Sequence, residues 1–437
     1  MLELFRNRNF LVFWIGQFVS VVGDHVSLIA FPWLTLQLTG SPAMTGLVYA
    51  VQGLPRAVLL LAGGAVVDRT SPRAVMLVSN LLRAMLVLAL AWLITMDRAD
   101  ITLVFIMALA FGLVDAFFYP AQNAILPSLV SKEQLQAGNA VIQMTIYLSV
   151  ILGPLIAGLV IAGHVSMAGH EAGMGGSTYA TDRLGLARAF GFNSIVFATS
   201  FVTLLFVRAR SLKKDEAESG PSLVRDVMEA LRWVWAHPSI RLGFIGVAAL
   251  EFLYQAPIFV GLPVLAKQRF EEGALVYGLE LAAYGTGALI GSLAGGTMKS
   301  VPERMLLRIM FWVFAYSGAS LGLLVLFHPY EYAMGFFFVA GLGDSFMWVN
   351  FTTWLQRITP ERMLGRVMSI FMVMAIGLLP IANAVMGLAF EINLEGSLLI
   401  TSAIMVVLMV TAALHPDARR PRDRRPDPQA PNATVED

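Results

Sequence analysis

The sequence predicts an all-α membrane protein with twelve transmembrane helices in two pseudo-symmetric six-helix halves and with both termini in the cytoplasm. Three observations predict this class: the composition, the spacing of the apolar runs and an internal repeat. Of the 437 residues, 57% are hydrophobic and only 14% are charged, which leaves more apolar surface than a soluble domain could bury. A bilayer accommodates such a chain, because a membrane-spanning helix needs about 20 mostly apolar residues.

Long apolar runs recur along the chain, and most of them are long enough to cross a bilayer with some tilt. They fall at roughly 10–38, 43–67, 74–95, 101–125, 138–163, 186–207, 241–265, 275–298, 305–327, 331–356, 364–389 and 396–414. The loops between them alternate between base-rich and base-poor. The positive-inside rule places the base-rich loops and both termini in the cytoplasm, which requires an even number of spans.

Two polar segments divide the chain. Residues 1–207 form the N-terminal six-helix half, residues 208–240 a cytoplasmic linker, and residues 241–414 the C-terminal half. Residues 415–437 are Pro-rich and charged, and we expect a disordered cytoplasmic tail. Apolar residues recur at helical spacing in the linker, which predicts an amphipathic helix along the cytoplasmic surface. These residues are Leu223, Val227, Ala230, Leu231 and Val234.

The sequence predicts no metal site and no cofactor. It contains no cysteine, which excludes disulfides, thiol nucleophiles, cysteine–zinc sites and iron–sulfur clusters. We expect the Gly-rich stretch 163–185 to be a flexible external loop, and its His170–Glu171 pair begins like the HExxH zinc motif. Met174 stands where that motif requires the second histidine, so we set the pair aside. The basic cluster lies in the tail, and nothing points to nucleic acid.

One half of the chain repeats the other. Residues 45–64 align with residues 277–296 at eight of twenty positions, and the segment GLVDAF (112–117) echoes GLGDSF (341–346) at nearly the same offset. Two matches in the same order indicate that spans 2 and 4 correspond to spans 8 and 10. Duplicated halves around a central site are typical of secondary transporters. The matched glycines include Gly46 with Gly278 and Gly53 with Gly285.

Four further segments resemble segments of the major facilitator superfamily, and the resemblance extends over residues 5–414. The segment GAVVDRTSPR (64–73) resembles the superfamily's loop 2–3 motif, G-x-x-x-D-R-x-G-R-R, although Ser71 and Pro72 depart from it. The segment LGPLIAG resembles the span-5 motif of antiporters through Gly153, Pro154 and Gly158. Residues 118–140 and 355–369 resemble the branch that includes drug, macrolide and siderophore exporters.

The resemblance implies a function for the loop after span 2. In similar transporters this loop contacts the start of span 11, here near Leu364, and latches the two halves together on the cytoplasmic side. Asp68 can meet the positive amino end of that helix, and Gly64 allows close approach. The alternative is a plain cytoplasmic turn, in which basic residues are expected anyway. The candidate gate residues are Gly64, Asp68, Arg69 and Arg73.

Ionisable side chains inside spans are costly and are therefore candidates for function. The resemblance implies that spans 1, 4, 7 and 10 line the central cavity, and each of them carries one buried acid. The candidate residues for binding substrate or protons are Asp24, Arg56, Asp115, Glu251, Tyr254, Asp344, Trp348 and Asn350. His25 in span 1 is more typical of a packing histidine, and Arg83 in span 3 is a further deep base.

The charges divide unevenly between the halves. Asp24 and Asp115 can pair with Arg56 and Arg83, whereas Glu251 and Asp344 have no deep base in their half. A carboxyl group without a basic partner in a medium of low dielectric constant favours its protonated form. The hypothesis is that Glu251 and Asp344 bind the coupling proton or a cation, and that the first-half charges form an interhelical network. Alternatively, each acid simply bonds neighbouring hydroxyl groups or backbone.

The resemblance implies a secondary active transporter rather than an enzyme. The predicted function is proton-driven export of small amphipathic, drug-like molecules by alternating access. The alternatives are a narrow-specificity exporter of a siderophore or metabolite, a lysolipid flippase, or a sugar or ion uniporter on the same fold. We expect a multi-pass monomer in the cell membrane, which in bacteria is the inner membrane. Its partners are the small-molecule substrate, protons and the lipid bilayer.

Overall fold

The computed structural model describes residues 2–131, 134–162, 179–208, 223–270, 273–327 and 329–419. This part of the chain is helical and contains no strand. Its long helices, labelled in chain order, are α1 (Arg8–Thr39), α2 (Pro42–Arg69), α3 (Pro72–Thr95), α4 (Ile101–Ile125), α5 (Leu135–Ala162), α6 (Tyr179–Phe206), α7 (Pro238–Arg269), α8 (Gly273–Thr297), α9 (Glu303–Leu326), α10 (Tyr330–Ile358), α11 (Glu361–Ile392) and α12 (Leu394–Leu414). Short helices span Leu2–Arg6, Leu223–Ala236 and Pro416–Arg419, and a 3-10 turn spans Leu126–Ser128.

Local sequence sets the ends of these helices. Asn7, Asp100 and Asn393 each accept a hydrogen bond from a backbone N–H in the first turn of α1, α4 and α12, respectively, which satisfies groups that the helix leaves unpaired. Gly40 ends α1 with a φ of 65°, a left-handed conformation that glycine adopts without strain. Proline at the first position of α2, α3 and α7 fits there because that N–H has no helical partner.

The helices present an apolar exterior. Eleven helices in the described part are long and apolar enough to cross a membrane, and α2 is not among the eleven. Large apolar side chains stand exposed around the outside, including Val58 at 71%, Ile195 at 67% and Ile392 at 87% exposure. Exposure of such an apolar surface to water would cost free energy, whereas its contact with lipid tails does not. The prediction of an all-α membrane protein is therefore confirmed, while the count of twelve spans stays a prediction.

Matched glycines bring helices of one half against helices of the other. A Cβ atom on Gly46 in α2 would overlap the backbone carbonyl of Asn383 in α11. The repeat counterpart of Gly46, Gly278 in α8, meets the backbone carbonyl of Pro154 in α5 in the same way. Small residues allow this close approach of helices in membranes. The α2–α11 and α5–α8 contacts therefore use equivalent positions of the repeat.

The same correspondence holds inside each half. Gly112 in α4 lies against the backbone carbonyl of Gln52 in α2. Gly341 in α10 lies against the backbone carbonyl of Tyr284 in α8. The separation in sequence between Gly112 and Gly341, and that between Gln52 and Tyr284, equals the offset of the two sequence matches to within a few residues. The repeated segments thus pack in the same manner in both parts of the chain.

Substitution of Gly278 by alanine is expected to separate α5 from α8. The added methyl group would overlap the Pro154 carbonyl, which is backbone and cannot move aside. We expect a loss of about 1–3 kcal/mol in stability, the usual cost of overpacking. Thermal unfolding in detergent measures it, with Gly296→Ala on the same helix as control, because a Cβ at Gly296 meets nothing within 4 Å. Equal stability of the two variants would contradict this account of the interface.

The polar segments differ in detail from the prediction. The linker contains a helix at Leu223–Ala236, in which Ala230 and Val234 are buried and Leu231 is 36% exposed; the side chains of Leu223 and Val227 lie outside the described part. The external loop predicted to reach residue 185 is wrong at its end, because α6 already begins at Tyr179. The tail predicted to be disordered from residue 415 begins with a helical turn at Pro416–Arg419.

Candidate functional site

The first half buries a charge cluster between α1, α3 and α4. Arg83 is fully buried, and its guanidinium donates to Oδ1 of Asp24 at 3.2 Å and to Oδ1 of Asp115. The planar guanidinium suits this task, because its N–H groups can bridge two carboxylates at once. The sequence hypothesis allowed Arg56 and Arg83 to share the two acids. In the structure Arg83 contacts both of them.

Aromatic rings lie close to the arginine. The Arg83 guanidinium carbon lies 3.8 Å from the ring centre of Phe118 and 5.5–5.6 Å from those of Phe197 and Phe111. The faces of aromatic rings attract cations, and they exclude water from the ion pair. Nε of Arg83 has no hydrogen-bond partner among the described atoms. The cluster therefore depends on its two carboxylates for compensation of the buried positive charge.

The cluster borders a central cavity of about 100 Å³. Arg56, whose guanidinium carbon lies 5.4 Å from the ring centre of Tyr119, forms part of the wall. His25 also lines it and bonds the backbone carbonyl of Val21 through Nδ1 at 2.9 Å. The walls come from both parts of the chain and include Asp24, Tyr49, Gln52, Arg56, Phe111, Asp115, Phe259, Pro380 and Asn383.

The size of the cavity limits what this conformation can hold. Sites for drug-sized ligands usually have volumes of about 300–1,000 Å³. A cavity of about 100 Å³ accommodates a few water molecules but no such ligand. The central space must therefore widen before a drug-sized molecule can bind there.

A larger groove of about 440 Å³ lies elsewhere, on the exterior of α2, α3 and α4. Its walls contain no ionisable residue and include Val78, Leu82 and Leu113, which are 38–59% exposed. This groove belongs to the apolar surface that faces lipid. The smaller cavity, which ionisable side chains line, is therefore the candidate functional site.

The second half buries a separate pair of acids. Glu251 in α7 is 8% exposed, and Asp344 in α10 is 6% exposed and lies within electrostatic range of it. Asp344 accepts a hydrogen bond from Ser317 Oγ at 2.8 Å and one from Tyr284 OH at 3.4 Å. In the described part of the chain neither acid forms an ion pair with a basic side chain. The hydrogen-bond partners of Asp344 are thus neutral hydroxyl groups, whereas Asp24 and Asp115 contact a guanidinium.

The backbone is irregular around Glu251. Residues Glu251–Gln255 and Pro257–Gly261 form two successive π-helical turns within α7. Such turns are rare and occur frequently at functional sites, and Pro257 contributes here because it has no N–H to donate. The turns widen α7 where it carries the buried acid and Gln255, whose side chain donates to Tyr284 OH at 3.4 Å.

The remaining predicted binding residues lie at different depths. Tyr254 is fully buried, and its ring centre lies 6.5 Å from that of Tyr284, next to the acid pair. Trp348 packs on Phe371 of α11, with ring centres 5.0 Å apart. Asn350 instead accepts a hydrogen bond from the backbone N–H of Val301 at 3.0 Å, in the connection between α8 and α9. The structure therefore places Asn350 in a loop-bracing contact rather than at the cavity.

The predicted gate is only partly described. The surroundings of Gly64 and the side chains of Asp68 and Arg69 lie outside the described part. Arg73 donates to the backbone carbonyls of Leu204 at 2.9 Å and Leu205 at 2.8 Å, at the carboxyl end of α6. A basic side chain satisfies unpaired carbonyls at such an end. Arg73 therefore braces the first half internally.

The antiporter-like segment lies at two helix interfaces. Gly153 packs against His25 and the Val22 carbonyl of α1, and Gly158 packs against the Ala274 carbonyl of α8. Pro154 contacts Gly278, as described above. The segment thus joins α5 to helices of both halves, where side chains larger than hydrogen do not fit.

One buried acid escaped the sequence analysis. Glu280 in α8 is 2% exposed, and its Oε2 has no hydrogen-bond partner among the described atoms. The sequence contains a feature that could have identified it, because Glu280 is an isolated acid inside the apolar run 275–298 and stands four residues before Tyr284. Its nearness to the start of the run made it resemble a loop residue.

Membrane helices that enclose a polar cavity lined by buried charges define a membrane transport protein. Residues 13–382 match the profile of the Major Facilitator Superfamily. The chain belongs to this superfamily of transporters, is a multi-pass membrane protein and is not an enzyme. The family resemblance inferred from the sequence motifs is confirmed.

Curated relatives include exporters. The chain is 26% identical over 405 residues to the multidrug efflux pump Tap of Mycolicibacterium fortuitum, covering 91% of this chain and 93% of that protein. It is 25% identical over 299 residues to macrolide efflux protein A of Streptococcus pyogenes, covering 68% of this chain and 69% of that protein. These similarities agree with a drug efflux branch of the superfamily.

Solved structures share the fold. The nucleoside transporter NupG matches with a TM-score of 0.67 and 14% identity, covering 92% of this chain and 98% of that one. A D-xylose–proton symporter matches with a TM-score of 0.65 and 15% identity, covering 92% of this chain and 96% of that one. At these identities the likeness extends to the fold alone.

Proposed function

We propose that the protein is a proton-driven exporter of small amphipathic molecules that works by alternating access. The contrast between the two groups of buried acids carries this proposal. Asp24 and Asp115 share the guanidinium of Arg83, whereas Asp344 accepts hydrogen bonds from two hydroxyl groups, and neither Asp344 nor Glu251 pairs with a base among the described residues. A neighbouring cation favours the ionised form of an acid, whereas burial without a cation favours the protonated form. The second-half pair is therefore suited to coupling.

The substrate class follows from the walls of the central cavity. Aromatic rings of Tyr49, Phe111 and Phe259 stand beside the charged groups of Asp24 and Arg56. Such walls suit ligands with both an apolar body and a polar or charged group. The two named relatives, a multidrug efflux pump and a macrolide efflux protein, support export as the direction of transport.

Alternating access requires contacts that hold one end of the bundle closed. Glu391 at the end of α11 accepts hydrogen bonds from Ser41 Oγ at 2.7 Å and from the Ala43 N–H at 3.1 Å, at the amino end of α2. Lys267 donates to the Leu36 carbonyl near the carboxyl end of α1 at 3.0 Å. Each charge meets the helix end of opposite partial charge. We propose that these contacts form an outer clamp, defined by Lys267, Glu391 and the turn 36–43.

Removal of the Glu391 carboxylate is expected to loosen this clamp. The chain has no native cysteine, so spin labels at Met44→Cys and Leu388→Cys would report the α2–α11 separation directly. We expect Glu391→Gln to broaden the distance distribution towards longer separations, because it weakens a charge-assisted contact worth about 1–3 kcal/mol. Glu331→Gln is the control, since Glu331 is an exposed acid in the first turn of α10 and takes no part in the clamp contacts. Identical distributions for both variants would exclude a clamp at Glu391.

For this transport cycle we propose the same boundaries of the two halves and the linker that the sequence predicts. Six helices in residues 1–207 and six in residues 241–414 rock about the central cavity, joined by the linker 208–240. The equivalent glycine contacts of the two repeats support two-fold pseudo-symmetry. Both termini lie in the cytoplasm, the loop at Gly64–Arg73 is the cytoplasmic latch, and the protein acts as a monomer in the bacterial inner membrane.

Efflux from cells tests the proposed substrate class. Cells that lack their own pumps and express the protein are loaded with a panel of fluorescent amphiphiles, including ethidium. We expect several unrelated dyes to leave faster than from control cells, and a protonophore to abolish the difference. Efflux that a protonophore leaves unchanged would contradict proton coupling, and efflux of no dye would favour a narrow-specificity substrate such as a siderophore or metabolite.

A further inference from the structure

Glu280 is a buried acid that has no part in the coupling proposed for Glu251 and Asp344. It lies two helical turns into α8, 2% of its surface is exposed, and Oε2 has no hydrogen-bond partner among the described atoms. A buried carboxylate without partners is costly, and such groups inside membranes mark function by default.

The surroundings of Glu280 include a cation that is engaged elsewhere. Arg269 at the end of α7 lines the same small cavity, but it donates to the Leu324 carbonyl at 2.9 Å, to the Val325 carbonyl at 3.1 Å and to Glu395 at 2.7 Å. Arg269 and Glu280 form no ion pair within 4 Å in the described structure. The cavity volume of about 10 Å³ is close to the space that one water molecule needs.

The face of α8 that carries Glu280 leads to the acid pair. Tyr277, Glu280 and Tyr284 are spaced three and four residues apart, so their side chains lie along one side of the helix. Tyr284 OH lies 3.4 Å from Asp344 Oδ2, and Gln255 donates to the same hydroxyl group. A polar stripe therefore runs from Glu280 down α8 to Asp344.

Few other charged or titratable groups face Glu280. Arg269 and Tyr330 line its cavity from α7 and α10, and Glu395 approaches from α12 through its bond to Arg269. The α5 residues packed against α8, including Val150 and Pro154, carry no charge. Because the side chain of Glu395 is 55% exposed, the Arg269–Glu395 pair connects this site with the surface at the outer end.

We propose that Glu280 is a second proton-binding site, which receives protons from the outer side and delivers them along α8 to Asp344. The proton binds the Glu280 carboxylate and later leaves it for the Tyr284 hydroxyl, which at the same time gives its own proton to Asp344. No other bond forms or breaks, and each group returns to its starting state when Asp344 releases its proton. This relay rests on the proposed proton-driven function.

Chemical labelling of the full-length protein tests the site itself. Dicyclohexylcarbodiimide reacts with protonated carboxyl groups in apolar surroundings, and mass spectrometry of peptides locates the adduct. We expect an adduct on Glu280 that disappears as the pH is raised, and none on the exposed Glu331. Absence of an adduct on Glu280 over the whole pH range, combined with normal transport by Tyr284→Phe, would overturn the proposal without any need for a Glu280 variant.

Transport in proteoliposomes tests the relay, with ethidium as substrate. We expect Glu280→Gln and Tyr284→Phe to slow pH-driven ethidium transport by about 100-fold, the low end of measured proton-transfer contributions. Exchange of ethidium across the membrane without a pH gradient should continue, and Glu331→Gln should behave as wild type. A coupled wild type with an unaffected Glu280→Gln variant refutes the relay alone. A wild type that exchanges ethidium without moving protons refutes the proposed function and the relay together.

Discussion

Replacement of Arg83 by leucine is expected to destabilise the protein severely and to abolish transport. Arg83 is fully buried and is the cation that both Asp24 and Asp115 contact. Its removal leaves two neighbouring buried carboxylates without the guanidinium that both of them contact, in a medium of low dielectric constant. Breaking a buried ion pair in this way costs about 3–5 kcal/mol. The midpoint of thermal unfolding in detergent measures the loss.

Variants of the same cluster separate charge from packing. Arg83→Lys keeps the charge, but its compact ammonium group cannot reach both carboxylates with the planar geometry of a guanidinium, so we expect an intermediate loss. Adding Asp24→Asn and Asp115→Asn to Arg83→Leu should restore much of the stability, because the carboxylates that Arg83 compensates are then removed as well. Arg308→Leu, an exposed substitution of the same type, is the control. If Arg83→Leu unfolds at the same temperature as Arg308→Leu, the buried charge cluster does not stabilise the fold.

Neutralising Glu251 and Asp344 together is expected to uncouple transport from the proton gradient. With Glu251→Gln and Asp344→Asn, no acid of the pair can carry a proton, while the amides keep the shape and can still accept hydrogen bonds. One proton exchanged across about one pH unit sustains about a tenfold substrate gradient, since a tenfold ratio corresponds to about 1.4 kcal/mol. The double variant should lose this entire gradient and still allow downhill movement. Accumulation of ethidium in inverted membrane vesicles measures it.

The matched control removes two charges elsewhere. Glu303→Gln with Glu331→Gln makes the same change in net charge at exposed positions, in the first turns of α9 and α10. It should accumulate ethidium as the wild type does. Continued uphill transport by the Glu251 and Asp344 double variant would exclude these acids as the coupling groups. Their role would then be to form hydrogen bonds that the amide side chains of Gln and Asn can also form.

The fold could be predicted from the sequence because membranes constrain it so strongly. Runs of apolar residues of sufficient length can only be helices in lipid, and the repeat at 45–64 and 277–296 identified the helices that pack alike. The boundaries were less certain where polar and apolar residues mix. Thus α6 starts at Tyr179, because the helix extends beyond the apolar run into the Gly-rich segment.

The residues of the candidate site could be predicted from the sequence, but their ion-pair and hydrogen-bond partners could not. Buried acids are visible in a sequence because an ionisable residue in an apolar run is rare. Which cation meets which acid depends on how the helices cross, so Arg83 rather than Arg56 joins Asp24 to Asp115. Likewise Asn350 looked like a cavity residue by depth alone, and only the packing of α8 and α9 gives it the Val301 backbone as partner.

The most direct test of proton coupling measures both fluxes in one preparation. The purified protein is reconstituted into liposomes that contain the pH dye pyranine, and an outward ethidium gradient is imposed without any pH gradient. We expect that ethidium leaving the vesicles draws protons in and acidifies the interior, and that the Glu251→Gln, Asp344→Asn double variant moves ethidium without any pH change. Ethidium movement by the wild type with no change in internal pH would contradict proton-coupled export.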